Sequence, residues 1–203
     1  MSAGNRSVLV ILDSRKSAAR RSADHSVFAA LDHFGVAWEV LDGGDYMSFI
    51  PEYVAPRALY IVAHDGAAEW LTPETAQQIA DGVADGAGLV SFDREADRWP
   101  GPLRGLLPTE LTRVRTGVIR FADQSFIGTG HDAGEEIELD EEIGALAFPR
   151  DDAWRTIVTD AEDRPLVASG VAGEGRVVVF GTGERLWNQK VYGHVRGIDG
   201  LMW

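Results

Sequence analysis

Four short clusters of ionisable side chains each follow an apolar run: Asp13-Ser14, His64-Asp65, Asp93-Arg94 and Glu184-Arg185. The apolar runs read as strands, and in an open α/β sheet ligands bind beyond the carboxyl ends of the strands. The clusters are therefore expected along one edge of one sheet. Carboxylates and guanidinium groups gathered there suit a small polar ligand, such as a sugar. His64 beside Asp65 could act as a general base with an orienting carboxylate. Neighbouring strand residues point to opposite faces, however, so the two side chains need not touch. The same residue types also cap helices and satisfy loop backbones.

The segment Glu184 to Asp199 mixes aromatic rings with hydrogen-bonding side chains. Sugar sites are built this way, with ring faces against C–H groups and polar groups on hydroxyls. The catalytic candidates are thus His64, Asp93, Glu184 and His194. The ligand-binding candidates are Asp13, Ser14, His64, Asp65, Asp93, Arg94, Arg185, Trp187, His194 and Arg196. His194 and Asp199 are spaced off a common helix face, so no metal site is expected. Gly181-Thr182-Gly183 lacks the third glycine of a dinucleotide loop and follows a late strand, so no cofactor is expected.

Other chemistry is excluded by composition. The 203 residues include no cysteine, which removes thiol nucleophiles, disulfides and thiolate metal ligands. A formal net charge of -13 disfavours nucleic acid and anionic membranes as partners. No apolar run approaches the ~20 residues that span a bilayer. The N-terminus carries no charged segment leading into an apolar one, so no signal peptide is expected and a cytoplasmic location is.

The elements that must position these clusters follow from apolar patterning. Val8-Leu9-Val10-Ile11-Leu12 is a continuous apolar run, the pattern of a strand buried on both faces. Val27, Phe28, Leu31 and Phe34 fall at helical spacing, and Gly35 is a helix stop. Further strands are predicted at 36–41, 58–63, 88–92 and 175–180. Leu71-Thr72-Pro73-Glu74 opens a helix, with Thr72 as N-cap and Pro73 at its first position. Between about 108 and 170 the helical period disappears. Short strands are predicted at 118–121, 137–139, 146–148, 156–159 and 166–169, as an antiparallel elaboration inserted into the α/β core. The acidic run Glu135 to Glu142, broken by Ile137 and Leu139, reads as an edge strand with a solvated face.

Two stretches carry a family resemblance. Leu71-Thr72-Pro73-Glu74 through Val83-Ala84-Asp85-Gly86-Ala87-Gly88-Leu89-Val90 resembles the L-(S/T)-x-E … I-x-x-(Y/V)-V-x-x-G-G-x-(L/V)-V stretch of class I glutamine amidotransferase-like domains. These include ThuA-like proteins and the trimerisation domains of some β-galactosidases. Gly173-Glu174-Gly175-Arg176-Val177, followed by Gly193-His194, resembles the ThuA-like G-x-G-R-V … G-H ending. The resemblance implies a flavodoxin-like three-layer α/β sandwich with a mostly parallel sheet. In active members a cysteine occupies the elbow that here reads Ser91-Phe92-Asp93-Arg94, and a late His-Pro-Glu pattern is replaced by His194-Val195-Arg196. No glycine flanks Ser91 as a serine elbow requires. Glutamine hydrolysis is therefore not expected.

The sequence thus predicts a single domain over 1–203, from the N-terminal part of a longer protein. Its expected role is a non-catalytic module for ligand binding, oligomerisation or packing on a downstream domain. The alternative is a hydrolase or isomerase of small polar substrates, working with the His, Asp and Glu candidates above.

Overall fold

The computed structural model describes residues 7–16, 20–21, 23–45, 54, 56–123 and 131–183. Within them, the strands are β1 (Val8–Leu12), β2 (Trp38–Asp42), β3 (Leu59–Val62), β4 (Gly88–Ser91), β5 (Thr112–Phe121), β6 (Glu136–Ala147), β7 (Trp154–Asp160), β8 (Pro165–Ala172) and β9 (Gly175–Phe180). They form one mixed sheet in the order β2-β1-β3-β4-β9-β8-β7-β5-β6. β2, β1, β3, β4 and β9 run parallel to one another, while β9-β8, β8-β7, β7-β5 and β5-β6 pair antiparallel.

The described helices are few and short. A π-helical turn at Asp24–Phe28 runs into α1 (Ala29–His33), the helix α2 spans Pro73–Ala84, and α3 spans Gly101–Arg104. The start of α2 is chemically determined. The Thr72 side chain accepts the Thr75 N–H, Pro73 needs no partner for an N–H it lacks, and Glu74 complements the helix dipole. Ala76, Ile79, Ala80 and Val83 give α2 one buried face.

Each face of the parallel strands has its own core. Val8, Val10 and Leu12 of β1 pack with Val27, Phe28 and Leu31 on one side. Leu9 and Ile11 pack with Ala76, Ile79 and Val83 on the other. All five β1 residues are buried, which is why the run is apolar without alternation. Phe34 departs from the predicted apolar stripe. It is 60% exposed, because α1 ends at His33 and Phe34 lies beyond the packed turn.

The antiparallel strands are longer than their apolar patches suggest. The two predicted strands at 137–139 and 146–148 belong to a single strand, β6. Its pairing with β5 jumps from Thr116↔Ile143 to Val118↔Glu138, so residues 139–142 bulge out between two paired halves. The acidic residues at 140–142 are thus a bulge on the sheet's edge strand, and solvent rather than a core faces them.

The far end of β6 returns to the parallel half. The Leu146 N–H donates to the Gly181 carbonyl (2.7 Å), and the Gly181 N–H donates to the Leu166 carbonyl (2.7 Å). Gly181 sits just past β9, so this seam brings Gly144 and Ala145 to the carboxyl end of β4.

Candidate functional site

The loop after β1 is held by its own charges. Asp13 is 4% exposed, and its carboxylate takes the Arg15 side chain through Nε (2.7 Å) and a terminal nitrogen (2.9 Å). Arg15 holds the Asp13 carboxyl below the usual range. Ser14 donates its backbone N–H to Asp42 at the end of β2 (2.8 Å).

His64, at the end of β3, is fully buried. Its Nε2 accepts the Asp13 backbone N–H (2.9 Å), so the ring proton is assigned to Nδ1, which faces the Asp65 carbonyl (2.9 Å). Burial pushes its pKa down and keeps the ring neutral. Both ring nitrogens are therefore occupied, and neither meets a carboxylate. The ring braces two strand ends.

The loop after β4 holds the largest concentration of polar contacts. Ser91 is buried, and its Oγ accepts the Asp93 N–H (3.2 Å). Asp93 is fully buried. Its Oδ1 accepts the N–H groups of Gly66 and Glu95 (both 2.7 Å), and its Oδ2 accepts the indole N–H of Trp99 (2.7 Å). Burial outweighs these donors and pushes the Asp93 carboxyl up to about 7. This carboxyl is a tie between loops, and a reacting molecule could not reach it without displacing those donors.

Asp65 and Arg94 differ from these groups. They form a side-chain pair in which Arg94 Nε lies 3.0 Å and 3.1 Å from the two Asp65 oxygens, and a terminal nitrogen of Arg94 adds a second contact. The Arg94 backbone N–H also donates to Asp65 (2.8 Å), and its other terminal nitrogen reaches the Gly144 carbonyl (2.9 Å). Gly183 makes room for the Arg94 stem, because a Cβ there would lie 2.7 Å from Arg94 Cγ. This pair lines a cavity of about 160 Å3 with Glu95, Arg113, Val114, Gly144 and Ala145. Arg113 is in turn paired with Asp97 (3.0 Å). The cavity thus offers two carboxylates, two guanidinium groups and strand backbone at the carboxyl end of the parallel sheet.

Of the predicted residues, Asp65 and Arg94 line the cavity. Asp13, Ser14, His64 and Asp93 are brought to the same sheet end, where their contacts lie within and between the loops. Glu184, Arg185, Trp187, His194 and Arg196 lie outside the described residues. Sequence reasoning missed Glu95, Arg113, Gly144 and Ala145. Among the described residues, no group of three His, Asp or Glu could hold a metal ion. No described helix is long and apolar enough to cross a membrane. A second cavity of about 260 Å3 lies beside α1, lined by Val27, Leu31, Phe34, Ile61, Val90 and other apolar residues, and presents no group for chemistry.

In fold, the chain resembles ThuA-like proteins, and its sequence contains no cysteine. It is similar to a ThuA-like protein from Bacteroides uniformis, with TM-score 0.61 and 11% identity over 100% of this chain and 90% of that one. A cytoplasmic protein from Salmonella typhimurium is similar at TM-score 0.60 and 14% identity, over 86% of this chain and 82% of that one. A β-galactosidase from G. stearothermophilus matches at TM-score 0.54 and 16% identity, over 93% of this chain but only 29% of the enzyme. No protein-family model matches the sequence, and no curated protein matches it.

Proposed function

We propose that the chain is a non-catalytic module that binds a small polyhydroxy, sugar-like ligand in the cavity lined by Asp65, Arg94, Glu95 and Arg113. The observation that carries this reading is the division of labour at the sheet end. Asp13, His64, Ser91 and Asp93 are committed to loop backbones, while the Asp65–Arg94 pair lines open space. Paired carboxylate and guanidinium groups suit vicinal hydroxyls, which donate to one and accept from the other. Their charges offset each other, so a neutral ligand fits better than an ion. Similarity in fold to β-galactosidases supports a carbohydrate-related role.

The strand order β2-β1-β3-β4-β9 supports a flavodoxin-like reading of the parallel half, with the cavity beyond its strand ends. Since the fold occupies 29–32% of the β-galactosidase chains it resembles, packing beside another domain or another copy belongs to the same proposal. A hydrolase or isomerase would need a free base, and the contacts of His64 and Asp93 give that reading no support.

A thermal-shift series against sugars, amino acids, nucleotides and divalent metals tests the proposal. A sugar should raise Tm with concentration, by an amount equivalent to about 2.7 kcal/mol at a hundred times Kd. Arg113→Ala, at a half-exposed position, should remove that shift while leaving ligand-free Tm close to the parent value. No shift across the whole series would sink the ligand site.

A further inference from the structure

We propose that the proton on Asp93 controls the shape of the Asp65–Arg94 cavity: the ionised carboxylate ties together the two loops that carry its charged side chains, and protonation releases the Trp99 arm of that tie. The inference rests on the reading of this cavity as a ligand site and names how that site is regulated.

The geometry puts one carboxylate in charge of two loops. Gly66, which follows Asp65, and Glu95, which follows Arg94, both donate to the same oxygen at 2.7 Å. Their spacing, and with it the Asp65–Arg94 pairing, is fixed by that oxygen. The other oxygen holds the Trp99 indole at 2.7 Å. A neutral carboxyl must carry its proton on one oxygen, and that oxygen accepts from fewer directions and holds an N–H donor more weakly than a carboxylate oxygen does. Oδ1 already serves two donors, so the proton goes to Oδ2 and opposes Trp99.

Trp99 is 5% exposed and directly follows the 3-10 turn Ala96–Arg98. That turn carries Asp97, the partner of Arg113 (3.0 Å), and Arg98, a partner of Glu69 (3.2 Å). Displacing the indole therefore moves the group that aims Arg113 at the cavity. Burial pushes Asp93 up to about 7, which places the change in the neutral range.

Among the described residues, the neighbouring charges come from the loops after β1, β3 and β4. Asp65 repels the ionised form of Asp93. Lys16, from the loop after β1, reaches the Gly66 carbonyl (3.2 Å) and Glu69 (3.4 Å). Glu95 pairs with Arg98 (3.5 Å), Arg94 with Asp65, and Asp13 with Arg15. His64 is kept neutral by burial, with its pKa lowered, so its titration falls on the acid side of Asp93.

The test uses the ligand-free full chain, labelled with 15N, from about pH 5 to about pH 9. The signals followed are the Trp99 indole N–H, the Gly66 and Glu95 amides, and Arg94 Nε–H. All four should move together with one midpoint near 7, and all four should stay flat in Asp93→Asn. Trp99→Phe removes one donor from the charged form, so the two amides should then titrate about one pH unit higher. That variant carries the test if Asp93→Asn does not fold. A Trp99 signal that is flat across the range overturns the proposal, and so does a Trp99 titration that leaves Arg94 unmoved. No ligand enters this experiment, so a sugar series without a hit removes the ligand reading and leaves this result standing.

Discussion

The parallel and antiparallel halves of the sheet differ in where they place most of their ionisable side chains. In the parallel half, Asp13, His64 and Asp93 are nearly or fully buried, and backbone N–H groups are among their partners. In the antiparallel half, Arg115–Glu142 and Arg120–Glu136 pair across exposed strand faces, although Asp160 at the end of β7 is fully buried and accepts the Glu162 and Arg164 N–H groups. A buried charge must be satisfied by fixed donors, and those donors become fixed in return. An exposed pair is shared with water and fixes little. At the border, where the end of β6 returns to the end of β4, charges are both held and accessible. Asp65 and Arg94 have side chains 21% and 17% exposed, between the two extremes.

The border should be the most fragile part of the molecule. At Gly181 a Cβ would lie 2.0 Å from the Leu146 carbonyl oxygen and 2.9 Å from that of Leu166. Gly181→Ala should cost about 3 kcal/mol, the upper end for overpacking, measured by urea denaturation. A loss under about 1 kcal/mol would mean the seam is soft and the halves are loosely joined.

The next effect separates the buried charges from the exposed ones. Asp93 binds its proton near 7 in the folded chain and near 3.8 when unfolded. Between those values the folded chain holds the extra proton, so its stabilising contribution is complete below about 3.8 and lost as the pH rises through about 7. His64, lowered from 6.5, acts in the opposite sense on the acid side of that value. The readout is therefore the stability of the parent minus that of Asp93→Asn. This difference should fall with rising pH by up to about 1.4 kcal/mol per unit, then level off above 7. A flat difference would place Asp93 among the ordinary surface carboxylates.

Two smaller effects sharpen the contrast. Thr72→Ala removes the cap of α2 and should cost about 1 kcal/mol by chemical denaturation. Gly117→Ala lies in the antiparallel half, where the new Cβ meets only Glu142 Cγ at 3.6 Å. Its unfolding free energy, by chemical denaturation, should stay the same or rise slightly, by no more than about 1 kcal/mol. A clear destabilisation there would show that this half is packed as tightly as the other.

The same division governs what was readable from the amino acids. β1, β3, β4 and β9 announce themselves as runs of Val, Leu and Ile, because burial on both faces leaves no room for polar alternation. Thr72-Pro73-Glu74 marks a helix start through local chemistry alone. His64, Asp65 and Asp93 could be placed at the sheet end because each directly follows such a run. Trp99, Arg113 and Gly144 could not. Their positions depend on pairings between residues tens of positions apart, and on a bulge at 139–142 that makes one strand look like two. The partners of Asp93 are likewise invisible in sequence, since two of its three donors are backbone N–H groups that any residue supplies.

The place of β9 has a consequence for how the chain reaches its native state. β9 is the last of the described strands in sequence, yet it lies at the centre of the sheet, between β4 and β8. During synthesis, the four parallel strands before it present β4 as an open edge, and the antiparallel set presents β8 as another. Neither edge finds its partner until residues 175–180 have emerged. Joining them requires a contact as distant in sequence as Gly88 and Arg176 for β4, which slows closure, while the β8 contact is local and fast. Sequence separation therefore favours β9 extending the antiparallel set before that set docks onto β4. Until then the growing chain carries two unpaired apolar edges, the period in which it is most open to misassociation.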